Sequence, residues 1–197
     1  MDRTREFLRV VVAFIMALMW TTATVSSQSN YPPERFTAFA VSLGDIVTPS
    51  GTATVDINVT RWSSDAELKM LVATLTKKGP EALLEALRDS KSVGTIRTPD
   101  SLGYDLRYAH QESTPEGGRR IFIATDRPIS FWEAVNRPRS FDYPFTVIEI
   151  VMPREGAGEG KLSLAAKIWA NRGIISLENY GTAPVHLKEV RSVQRTR

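Results

Sequence analysis

From residue 143 onward the chain passes through four segments, 143–152, 161–170, 174–180 and 185–191, in which apolar and polar residues alternate or strand formers dominate. Between them lie the turn signals Gly156-Ala157-Gly158, Asn171-Arg172-Gly173 and residues 181–184. Connections this short cannot carry a parallel crossover, which takes a dozen residues or more, so neighbouring strands must run antiparallel. The four segments read as a meander, and this constrains the fold more than any other feature.

The same period recurs upstream. Residues 35–43 are β-like, and in residues 52–61 Val55, Ile57 and Val59 share one face while Thr54, Asp56, Asn58 and Thr60 share the other. Further strands are predicted over 93–97, 103–111 and 119–125, with turns at Pro49-Ser50-Gly51 and Pro115-Glu116-Gly117-Gly118. One passage breaks the pattern. Ser64-Asp65-Ala66-Glu67 is a capping box, in which hydroxyl and carboxylate each satisfy a backbone N–H of the other residue, and Leu68, Leu71, Val72 and Leu75 follow at helical spacing. Gly79 ends that helix, and Pro80 opens a second with Leu83, Leu84 and Leu87 inward. About nine strands and one helical hairpin predict an α+β fold. We expect a mainly antiparallel β barrel or strongly curved sheet with the helices on one face, the alternative being a two-sheet β-sandwich.

The N-terminus reads as an export signal. Arg3, Arg5 and Arg9 precede an uncharged apolar run from Val10 to Trp20, too short to span a bilayer, and Val25-Ser26-Ser27 resembles a signal-peptidase site. This gives a signal peptide over 1–27, a linker over 28–33, one globular domain over 34–191 and a frayed basic tail over 192–197. Periplasmic or secreted localisation follows, without stable membrane insertion after cleavage. The chain has no cysteine, which rules out thiolate chemistry and a lipid-anchored N-terminus, and its 42% hydrophobic content supports a core without disulfides. Loss of residues 1–27 removes three arginines and two acids from 25 basic and 22 acidic residues, leaving a net charge of +2 and no nucleic-acid footprint.

The connection over 126–142 is long, and connections of that length are usually functional or disordered. Its Phe131, Trp132 and Phe141 would be costly to leave in water, so it is expected to be packed. Arg127, Arg137 and Arg139 are candidates, with Trp132, for binding a carboxylate or phosphate; Asp126, Glu133 and Asp142 neutralise them in the alternative reading, a structural clasp. Glu149 interrupts an otherwise apolar, central strand, where a carboxylate must be paired or shifted toward its neutral form; an arginine of the long connection is its expected partner. Glu149, Asp126 and Glu133 are therefore the candidate acid–base residues, with His110 as an outside candidate. His110 and His186 do not form a metal-ligand pair, and no cofactor or metal is expected.

The segments TDRPISFWEAVNRPRS, YPFTVIEI, GEGKLSLAAKI and LENY, with the helix start RWSSDAE, resemble an uncharacterised family of exported bacterial proteins, over about 35–191. The resemblance implies a bacterial, exported, single-domain protein and carries no assigned activity or ligand. The expected function is a non-catalytic exported binding domain, for a small or extended ligand or an envelope protein, at the sheet end near the long connection. The alternatives are a carboxylate-dependent hydrolase or lyase and a structural or assembly protein of the cell envelope. Expressed in a bacterium with its own N-terminus, the chain is expected in the periplasm or medium shortened by about 23–27 residues, as read by intact mass; a full-length cytoplasmic product would overturn the export reading.

Overall fold

The computed structural model describes residues 31–43, 50–99, 101–127, 145–171, 174–179 and 184–193, with the backbone alone for 164–179. The elements are β1 (Glu34–Ser42), β2 (Gly51–Val59), α1 (Asp65–Lys78), α2 (Pro80–Asp89), β3 (Gly94–Arg97), β4 (Tyr104–Leu106), β5 (Tyr108–Ser113), β6 (Arg119–Ala124), β7 (Phe145–Met152), β8 (Gly158–Asn171), β9 (Ile174–Asn179) and β10 (Val185–Val193). They form one sheet in the order β4-β3-β2-β1-β10-β8-β7-β6-β5, with β9 added to β8. Every pairing is antiparallel.

The two ends of that order, β4 and β5, are separated in sequence by Arg107 alone. They are two segments of one strand, so the sheet curls round until its edges meet in a nearly closed barrel of nine strands, the α+β barrel with a helical hairpin that the turn pattern predicts. Leu106 and Ala109 both belong to the barrel core, so one extra residue lies between two inward positions and the alternation changes phase. The Arg107 N–H donates to the Ala124 carbonyl at 2.9 Å, while the Val93 N–H donates to the Leu106 carbonyl at 2.8 Å. Where β3 ends, the segment leaving β2 takes its place: the Ser63 N–H donates to Ala109 O at 2.6 Å, and the Ala109 N–H returns a bond of 3.2 Å to Ser63 Oγ. Close β2–β3 pairing at this seam needs Gly94, since a Cβ there would stand 2.0 Å from the Asn58 carbonyl oxygen.

The C-terminal strands depart from a plain meander. β8 is long enough to serve two partners along one edge: residues 166–171 pair with β9, and residues 158–162 pair with β10. β10 then reaches β1, and Glu189, at φ 51°, sits where the register of β10 slips against both neighbours. Such a bulge sharpens the local twist, which a closed sheet requires.

Inward side chains fill the barrel. Phe36, Ile57, Ile96, Leu106, Ile121, Ile123, Ile148 and Ile150 are fully buried there. At one end Glu34 of β1 meets Arg119 of β6, two strands with three others between them along either arc of the barrel. The guanidinium binds both carboxylate oxygens, donates to Gln111 Oε1 at 3.0 Å and lies 5.6 Å over the Phe36 ring, so one bidentate pair spans the barrel and closes its core. Beside it Trp62 is buried, its indole N–H donating to Pro32 O at 2.9 Å.

Arg119→Met is expected to cost about 2–3 kcal/mol in denaturant melts because it strands the Glu34 carboxylate, less than for a fully buried pair since part of the arginine is exposed. The double variant Glu34→Leu/Arg119→Met is expected to recover most of that loss. Equal losses in the single and double variants would show that the pair is not what closes this end.

Candidate functional site

The helical hairpin packs outside the barrel. α1 begins as its sequence requires: Ser64 Oγ accepts from the Glu67 N–H at 3.2 Å, the Ser64 N–H donates to Glu67 Oε2 at 2.7 Å, and Arg61 closes on the same carboxylate. Partial burial pushes the Glu67 carboxyl up, but the hydrogen bonds from Arg61 and Ser64 outweigh it and hold the group below its usual range. Leu71 and Leu75 of α1 and Leu83 and Leu87 of α2 form a second apolar cluster with Tyr108, Phe145 and Val147, on the outer face of β5 and β7. The central strands β6 and β7 are thus apolar on both faces, one side feeding the barrel and the other the helices.

This second layer is not closed among the described residues. Between the hairpin and β5–β6–β7 runs a groove with a volume of about 380 Å³, within the range of small-molecule sites. Its walls are leucines and Val72 of the helices, and Phe122, Ile123, Ala124 and Val147 of the sheet. Polar atoms come from three residues of β5: Tyr108, His110 and Glu112, which share one face at intervals of two. Burial, reinforced by the charges of Asp65, Glu67 and Glu112, pushes the Tyr108 hydroxyl up, so the phenol stays neutral. Its ring stacks against His110 at 6.2 Å. His110 Nδ1 is buried and has no hydrogen-bond partner among the described residues.

Of the residues singled out from sequence, Asp126 and Glu149 fall elsewhere. Asp126 is buried with its carboxylate 3.4 Å from Arg107 Nε and 3.8 Å from the exposed Arg127. Arg107 also donates to Ser90 O at 3.1 Å, tying the barrel seam to the end of α2. Glu149 does lie on a central strand, but it points outward, about two-fifths exposed, and its ion-pair partner among the described residues is Arg120 of β6 at 3.4 Å; Arg137 and Arg139 of the long connection lie outside those residues. Diagonal placement across the β6–β7 pair brings the two together, since Phe122 stands directly opposite Glu149. Asp126 and Glu149 do not line the groove. Trp132, Glu133, Arg137 and Arg139 lie outside the described residues, as do residues 1–30 and 194–197.

Of the groove residues, His110 was legible as a candidate but for chemistry rather than for lining a wall. Tyr108 and Phe122 were missed. The signal for Phe122 was the run Ile121-Phe122-Ile123-Ala124, apolar at successive positions and so covered on both faces. No cluster of three metal-ligating side chains occurs among the described residues, and no helix among them is long and apolar enough to cross a membrane. Comparison with family models, curated proteins and solved structures finds no match to this chain.

Proposed function

We propose that this protein is an exported binding domain that holds a small, largely apolar ligand without transforming it, in the groove between the helical hairpin and the outer face of β5–β7. The observation that carries this reading is the groove itself, about 380 Å³ of space walled by leucines and aromatic carbons beside a barrel whose own interior is packed. Apolar walls with few polar groups at one end are what a site needs to remove a hydrocarbon from water while fixing its orientation. Two of the three candidate carboxylates support binding over acid–base chemistry, since Asp126 faces Arg107 and Glu149 faces Arg120. Each is engaged by a guanidinium, and the two do not converge on one pocket, as a pair of acid–base groups would have to.

Filling the groove tests the reading. Val72 lines it from α1 and is only half-buried, so Val72→Trp is expected to place an indole in the space at a stability cost within about 1 kcal/mol. Binding of the uncharged dye Nile red, followed by its fluorescence, is expected to fall by at least about tenfold, the loss of one good contact region. Undiminished dye binding by the folded variant would show that the groove is not the site.

A further inference from the structure

We infer that the ligand is an amphiphile with a neutral or cationic hydrogen-bonding head seated at His110 and Glu112, its chain running along β5 and β6 toward Val147; this rests on the binding reading above. The charge of the groove is one-sided. Glu112 stands at one end, His110 midway opposite Phe122, and Ala124 and Val147 at the other, beside the neutral phenol of Tyr108. Four residues of strand separate Glu112 from Tyr108, a run of about 13 Å, enough for an extended alkyl chain rather than a compact ring.

The head is specified by two groups. His110 Nδ1 is buried without a partner among the described residues, and a buried polar nitrogen left so is costly unless something supplies the missing bond. A ligand hydroxyl, amide or amine entering the groove can do so. Glu112 sets the charge: it is exposed, 4.0 Å from Arg120, and that same guanidinium lies 3.4 Å from Glu149. Glu149 also stands opposite Lys161 of β8 and does not line the groove, so the charge that faces the head is that of Glu112, which repels a carboxylate. Glu112 also lines a second depression of about 400 Å³, in which Glu112 and Glu116 are balanced in sign by Arg120 and Arg154, so the exit beyond the head does not favour anions.

Displacement of Nile red by decanol, decylamine and decanoate at neutral pH, each below its aggregation limit, tests this. Decanol and decylamine are expected to act at concentrations at least about tenfold lower than decanoate, the effect of about one well-made hydrogen bond. His110→Phe is expected to weaken decanol by about tenfold while dye binding persists. Should that variant fail to fold, Glu112→Gln gives an independent reading, with decanoate expected to approach decanol to within about threefold. Decanoate equal to or better than decanol in the native protein, or no displacement by any of the three, would overturn the inference while leaving the groove as a binding site. Failure of the dye itself to bind would overturn the binding reading.

Discussion

Residues 104–113 pair with β3 through Leu106 and with β6 through Tyr108 to Ser113, and the closing of the sheet depends on this double use of one strand. A sheet with two open edges would leave two rows of unpaired N–H and C=O groups. Here both edges are the same piece of chain, and the mismatch between them is absorbed at Arg107, where one extra residue lets Leu106 and Ala109 both face inward. Ser63 then supplies the hydrogen bonds that β3 is too short to make. The helical hairpin starts at the next residue, so the seam and the placement of the helices are one event in the chain. Arg107 reinforces the link from the outside, binding the Ser90 carbonyl at the end of α2 and facing Asp126 after β6.

From that closure follows the division of the protein into two apolar layers. Once the barrel is filled and one of its ends is spanned by Glu34 and Arg119, further apolar side chains of β5, β6 and β7 must be covered from outside. The hairpin does this with Leu71, Leu75, Leu83 and Leu87, and covers it incompletely. Among the described residues the barrel interior is filled by side chains, and the space for a ligand lies between the layers.

Much of the architecture was legible because it is local. Period-two alternation in residues 52–60, the Ser64–Glu67 capping box and Pro80 at the start of a helix are each decided by a few adjacent residues, and each element lies where those residues put it. Strand pairing between distant segments was less visible. Nothing in residues 161–170 states that β8 will carry both β9 and β10 on one edge, because that depends on where the chain returns after the β9 hairpin. Glu149 looked like a buried carboxylate because both flanking residues are apolar, yet its face turns outward to Arg120, and exposure of one side of one strand is set by how far the helices extend over it. The groove was hidden for the same reason. It is a shortfall in coverage between two elements, and each element reads as an ordinary amphipathic surface on its own.

An exterior site and a filled barrel make opposite predictions for where a bound chain lies. Intermolecular NOEs between the protein's methyl groups and the alkyl chain of a bound amphiphile separate them directly, because they mark only the side chains that touch the chain. NOEs to the methyls of Leu71, Leu75, Leu87 and Val147, with none to those of Ile57, Ile121 and Ile148 in the barrel, are the expected result. NOEs to the barrel isoleucines would place the ligand inside the barrel and contradict a site between the layers.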